Sequence, residues 1–120
     1  MTASDRRLTT HVLDLTHGRP AAGMRIALYR IAGDGARTPA AETVTNADGR
    51  CDAPLLAGAE FAPGAYELVF QVGPYFAGLG VPGPAFLEEV PIRFTAAEGR
   101  QHYHVPLLVS PYGYSTYRGS

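Results

Sequence analysis

The sequence predicts an all-β fold, a sandwich or barrel of short strands. Turn signals recur at short intervals: Thr16-His17-Gly18-Arg19-Pro20, Gly33-Asp34-Gly35, Asn46-Ala47-Asp48-Gly49, Pro63-Gly64, Gly73-Pro74, Val81-Pro82-Gly83-Pro84 and Glu98-Gly99. Between them lie runs of roughly six to ten residues rich in Val, Ile, Leu, Tyr and Phe, which is the rhythm of such folds. The composition agrees, because an apolar fraction of 46% can fill a modest core. The 14 glycines and 10 prolines supply turns without reaching a low-complexity composition.

Taken in order, the apolar runs place strands over 9–15, 24–31, 41–45, 65–72, 90–95, 101–109 and 112–118. A further short strand is expected to begin at Arg50. Asp48-Gly49, lying between Val44 and Cys51, is a hairpin signal, since that dipeptide tolerates positive φ. Residues 74–80 (Pro-Tyr-Phe-Ala-Gly-Leu-Gly) read as one short helix, with proline at its start and glycine at its end. The chain length of 120 residues suits one domain. Residues 1–7 are expected to be a flexible polar segment and 8–120 the domain.

The two C-terminal strands differ from ordinary sandwich strands. Over 101–109 one face carries His102, His104, Pro106 and Leu108, and the other carries Tyr103, Val105, Leu107 and Val109. Past His104 both faces are apolar, whereas a sandwich strand has one face toward solvent. The outer face is therefore expected to be covered by another subunit. Pro106 cannot donate to a ladder, so an irregularity is expected there.

Composition also excludes classes of function. The net charge is −1, which leaves no basic excess for a polyanion, so no nucleic-acid partner is expected. All 10 basic residues are Arg, and a Lys nucleophile or Schiff base is excluded. Cys51 is the single cysteine, so an intramolecular disulfide and a CxxC zinc site are both impossible. No apolar run approaches the ~18 residues of a membrane span, and no apolar stretch follows the polar N-terminus. A cytoplasmic protein with no membrane partner is expected.

The chemistry rests on few residues. His11 and His104 lie inside strands, where an apolar residue would serve stability better. A histidine inside a strand is ordinarily structural or exposed, but two on faces that can meet call for a joint explanation. His102 and His104, at i and i+2, share a face and with His11 could form an open His₃ zinc site. No carboxylate or cysteine clearly accompanies them, and metal-free acid–base work by His11 and His104 is the reading taken. Arg50, after the turn, is either a solvated hairpin residue or an anion clamp. Ser110-Pro111-Tyr112-Gly113-Tyr114-Ser115-Thr116-Tyr117-Arg118-Gly119-Ser120 keeps strand character almost to its end, where most termini fray. A tied-down terminus whose hydroxyls have a role is expected. A Ser-His-Asp triad through Ser115 or Ser120 lacks a nucleophile-elbow pattern.

Four separated blocks resemble the transthyretin-like family in order and spacing. They are Leu8-Thr9-Thr10-His11-Val12-Leu13-Asp14 with Gly18-Arg19-Pro20-Ala21, then Thr45-Asn46-Ala47-Asp48-Gly49-Arg50, then Tyr103-His104-Val105-Pro106-Leu107-Leu108, and the ending from Ser110 to Ser120. The terminal Tyr-Arg-Gly-Ser resembles the 5-hydroxyisourate hydrolase branch rather than the hormone carriers. The resemblance implies a transthyretin-like two-sheet β-sandwich of about eight strands with one short helix. It implies a homotetramer, a dimer of dimers, with substrate in a central channel. It carries active-site roles onto His11, Arg50 and His104 as catalytic residues, with His11, Arg50, Tyr117 and Ser120 binding substrate, and it implies no metal or organic cofactor. His102 lies beside the motif without a family role. The implied reaction opens 5-hydroxyisourate to 2-oxo-4-hydroxy-4-carboxy-5-ureidoimidazoline in urate degradation. The competing reading is a small-ligand carrier on the same fold. The sequence departs from the family in the Gly/Pro-rich 80–86 loop, which is expected to lie away from the site.

Overall fold

Alternation along two strands builds the face that matters. In β1 (Arg7–Asp14), Leu8, Thr10, Val12 and Asp14 are buried while Arg7, Thr9, His11 and Leu13 point outward. In β8 (His102–Ser110), Tyr103, Val105, Leu107 and Val109 are buried. These are two of nine strands in a computed structural model of the chain, which describes residues 6–119. The others are β2 (Arg19–Pro20), β3 (Arg25–Ile31), β4 (Arg37–Val44), β5 (Leu56–Ala57), β6 (Gly64–Phe70), β7 (Val90–Ala96) and β9 (Gly113–Thr116), with one α-helix, α1 (Val72–Gly78).

The strands form two sheets. One has the order β2-β1-β8-β9, with β5 also paired to β1; the other has the order β4-β3-β6-β7. Between them lies a continuous core that includes Leu8, Val12, Leu107 and Val109 from the first sheet and Leu28, Leu68, Phe70 and Val90 from the second. This is the expected all-β two-sheet sandwich. β1 and β8 are parallel neighbours, paired from Arg7↔His102 to Asp14↔Val109. The Thr10 hydroxyl donates to the Val105 carbonyl at 2.7 Å and ties the two strands from the buried side. Their outward residues therefore share one surface, with Thr9 beside His104 and His11 beside Pro106.

Several elements depart from the expected bounds. α1 starts two residues early because Pro74 tolerates the first helical turn, where its missing N–H is not needed. It ends with Gly80 N–H donating to Ala77 O and Val81 N–H to Phe76 O, a Schellman closure. β4 begins at Arg37, well before residue 41. It is an edge strand, so it accepts Pro39, and a register shift opposite Leu28/Tyr29 absorbs the irregularity.

Asp48-Gly49 forms a turn but not a ladder hairpin. β4 pairs within the second sheet, whereas Arg50 bridges His11 of the first, so the turn carries the chain from one sheet to the other. The strand expected at Arg50 is only this isolated bridge, and β5 follows at Leu56. β9 stops at Thr116 instead of running to 118. Its ladder with β8 breaks opposite Pro106, which has no N–H to give, and re-forms in the same register at His104↔Gly119. The Thr116 hydroxyl donates to the Pro106 carbonyl at 2.7 Å beside that gap.

The segment expected to be flexible, 1–7, is described only at Arg6 and Arg7. Arg7 opens β1, and Arg6 is buried, donating from Nε to Phe61 O at 2.6 Å and from Nη1 to Arg100 O at 2.7 Å. For these two residues the expectation is corrected: backbone pairing and the Arg6 hydrogen bonds hold them to the sandwich.

Candidate active site

The outward face of β1 and β8 carries Thr9, His11, His102 and His104. Arg50 is brought to it by the 46–49 turn. The Asn46 side-chain carbonyl accepts from the Asp48 N–H at 2.9 Å and the Arg50 N–H at 3.2 Å, and the Asn46 amide donates to Asp52 at 3.0 Å. Asn46 is thus the residue on which the turn is built. Gly49 has φ +73°, and a Cβ there would meet the Val12 carbonyl oxygen at 2.4 Å. Only glycine lets the turn lie against β1, where Val12 N–H donates to Gly49 O at 2.8 Å.

The Thr9 hydroxyl lies 2.9 Å from His102 Nε2 and 2.9 Å from His104 Nδ1. These groups, with Arg7, Thr10, Arg50, Cys51, Asp52, Ala53 and Pro54, line a cleft of about 400 Å³. Burial, then the Arg50 guanidinium, then His102 and His11 hold the His104 ring below the usual imidazole range. Burial and Arg50 also lower His11, against a smaller upward pull from Asp48, whose backbone hydrogen-bonds the ring. His102 is lowered by burial and by Arg7 and Arg100. The three rings are therefore neutral at neutral pH, next to a permanent cation. Neutral imidazoles accept and return protons, and a guanidinium binds developing negative charge. The arrangement suits attack of water on a carbonyl.

The chain brings His11, Arg50 and His104 together. His11 and Arg50 form a backbone bridge, and Arg50 is the leading charged neighbour of both imidazoles. The chain's end also reaches this place. Gly119 N–H donates to His104 O at 2.7 Å, and a Cβ on Gly119 would lie 2.6 Å from the His104 ring. Tyr117 stands apart, exposed, and lines a separate hollow with Ile92, Phe94, Tyr103 and Arg118. Ser120 lies outside the described residues. Among the described residues, no group of three or more His, Cys, Asp or Glu side chains could hold a metal ion, and the Thr9 hydroxyl bridges His102 and His104. The 80–86 loop lines a different hollow with Gly73, Phe76 and Tyr112.

Sequence reasoning missed Thr9, Arg7 and Asn46. Thr9 had a signal, since it shares a strand face with His11, but its partners are more than ninety positions away.

Residues 8–119 match the HIUase/Transthyretin family. The chain belongs to that family. Among HIUase/Transthyretin proteins it is 66% identical over 120 residues to the 5-hydroxyisourate hydrolase of Mesorhizobium japonicum, covering 98% of this chain and 95% of that one. A solved structure of (S)-allantoin synthase superposes with a TM-score of 0.88 at 47% identity. That match takes in 98% of this chain but 45% of the synthase chain, so this chain spans less than half of it. Sea bream transthyretin in complex with thyroxine superposes with a TM-score of 0.86 at 31% identity, covering 94% of each chain. The fold is thus shared by family members named for different functions, and the residues on the face help to separate them.

Proposed function

We propose that this chain is a hydrolase that opens the six-membered ring of 5-hydroxyisourate by metal-free attack of water on a ring amide carbonyl. The observation that carries the reading is the gathering of two neutral imidazoles, His11 and His104, around the Arg50 guanidinium on one outward face. The 66% identity to a named hydrolase supports it.

In this mechanism His104 takes a proton from water as the oxygen attacks. Arg50 orients the planar substrate and stabilises the oxyanion as it forms. The proton taken up by His104 is shuttled by way of His11 to the leaving nitrogen, so the C–N bond breaks and a carboxylate remains. The product is 2-oxo-4-hydroxy-4-carboxy-5-ureidoimidazoline, within urate and purine degradation. Leu13 and Leu108, half-buried on the same face, supply apolar wall. We take the working form to be a cytoplasmic homotetramer, a dimer of dimers, which covers this face. Tyr117 and Ser120 then contribute to the substrate rim at the subunit junction. The single Cys51 suits a reducing compartment, and among the described residues no helix is long and apolar enough to cross a membrane.

The test is to generate 5-hydroxyisourate with urate oxidase, add the protein and follow substrate absorbance with and without chelator. Accelerated loss that survives the chelator is expected. Saturable binding of the heterocycle without turnover would instead make the protein a carrier, the reading that the thyroxine-bound relative represents.

A further inference from the structure

We infer that Thr9 and His102 form a proton relay behind His104, making them positioning residues for the hydrolysis; the inference rests on the reaction proposed above. The Thr9 hydroxyl is 2.9 Å from a ring nitrogen of each histidine. The two ring centroids are 6.2 Å apart at 53°, so the hydroxyl is the link between them. The β1–β8 register sets this up by laying Thr9 beside His104 and Arg7 beside His102.

A hydroxyl has one proton and two lone pairs. Both hydrogen bonds are met when one ring donates to Thr9 and the other accepts from it. In the first arrangement His104 Nδ1–H donates to Thr9 Oγ1, and the Thr9 proton is donated to His102 Nε2. His104 Nε2 is then bare and acts as the base. In the second, Thr9 donates to His104 Nδ1 and His102 Nε2–H donates to Thr9, so His104 carries its proton on Nε2 and acts as an acid.

The reaction joins the two. As the water oxygen bonds to the carbonyl carbon, its proton goes to His104 Nε2. His104 Nδ1–H passes to Thr9 Oγ1, and the former Thr9 proton passes to His102 Nε2. His104 and Thr9 end neutral, and the positive charge resides on His102. When the C–N bond breaks, the proton held on His102 returns through Thr9 to His104. His104 Nε2–H then passes to the bare nitrogen of His11, and His11, now an imidazolium, gives a proton to the leaving nitrogen, so every ring ends as it began.

The surroundings explain the use of such a path. His104 faces Arg50 and His11, with Gly119 backbone against it, so an imidazolium there sits beside a guanidinium. Like charges at close range are costly where water is partly excluded. His102 faces Arg7 and Arg100 and is itself half-buried, with the Asp52 carboxylate lining the same cleft. Moving the charge to His102, the less deeply buried ring, takes it off the ring beside Arg50, although Arg7 and Arg100 then face it.

The test uses the intact protein and the variants Thr9→Val, Thr9→Ser and His102→Gln. Thr9→Val keeps the branched shape of a strand residue but has no hydroxyl. It is expected to lower kcat by about tenfold to a hundredfold, a fraction of the full worth of acid–base catalysis, while KM stays within about twofold. Thr9→Ser restores the hydroxyl and is expected to recover kcat to within about threefold. His102→Gln can donate to Thr9 but cannot take up a proton, and it is expected to match Thr9→Val. The wild-type proton inventory in H₂O/D₂O mixtures is expected to bow, and that of Thr9→Val to be linear.

Full kcat in Thr9→Val, or a Thr9→Ser as slow as Thr9→Val, overturns the relay. Imidazole ¹⁵N spectra test it without turnover. His104 Nδ1 and His102 Nε2 are expected to be one protonated and one bare, with titrations coupled in the wild type and independent in Thr9→Val. If the wild-type chain does not hydrolyse the substrate, the hydrolase reading falls by itself, and these spectra alone decide the proton path: independent rings refute it and coupled rings support it.

Discussion

Gly119→Ala is a small change with a calculable reach. The added Cβ would lie 2.6 Å from His104 Cδ2 and 3.2 Å from both Cβ and Cγ of that residue. Ordinary van der Waals contact begins near 3.4 Å, so the ring or the chain's end must shift by roughly 1 Å. The ring is tethered through Nδ1 to Thr9, and Gly119 through its N–H to the His104 carbonyl. Relief therefore costs one of these bonds or moves the imidazole from its working place. A displacement of that size is worth about 10²-fold in rate. The fold is expected to survive, because the overlap lies beyond the last strand and off the core; overpacking of this kind costs about 1–3 kcal/mol. The assay is kcat on freshly generated 5-hydroxyisourate, with a thermal melt on the same preparations. Wild-type kcat in a folded Gly119→Ala protein would refute the claim that the chain's end positions His104 for the proposed hydrolysis.

Gly49→Ala is expected to be worse for the whole protein, because φ +73° costs a Cβ about 1–2 kcal/mol and the clash is with backbone at Val12; a marked fall in melting temperature together with lost turnover checks it. Tyr75→Phe removes the 2.8 Å hydrogen bond to the buried Asp14 carboxylate and is expected to cost about 1.5–3 kcal/mol in denaturant melts while leaving kcat unchanged. Burial and Asp14 push the Tyr75 hydroxyl up to about 12, so an alkaline absorbance titration of the wild type should show a late tyrosine that the variant lacks. For pH, a base works only when neutral, and burial followed by Arg50 depresses His104; the acid limb of kcat/KM is expected below 6.5, the ordinary imidazole value. Arg50→Gln should move that limb upward while lowering the rate. The unfolded chain takes up these protons first, so the stability contributed by His11, His102 and His104 is fully present above about pH 6.5 and is lost as pH falls from there through their lower folded-state values.

The sandwich was legible because β1, β6, β7 and β8 are runs of apolar residues between turn signals. β2 and β5 were not, since two-residue strands have no period to detect. The start of β4 was hidden by Arg37, Thr38 and Pro39, which suit an exposed edge. The Asp48-Gly49 turn was readable as a turn, but whether its flanks pair with each other or leave for different sheets depends on tertiary contacts. Pro106 predicts an irregularity, and the ladder breaks there. The outward placement of His11 and His104 follows from strand parity alone. Their partnership with Thr9 does not, because it needs β8 laid parallel to β1, and nothing local to either strand encodes that neighbour.

In the proposed hydrolysis His104 activates water beside Arg50. His104→Asn keeps much of the size and one hydrogen bond toward Thr9 but removes the base. Measured as kcat for the loss of freshly generated 5-hydroxyisourate, with the melt unchanged, it is expected to fall by ~10²–10⁴-fold. Loss of substrate at the wild-type rate would show that His104 is not the base.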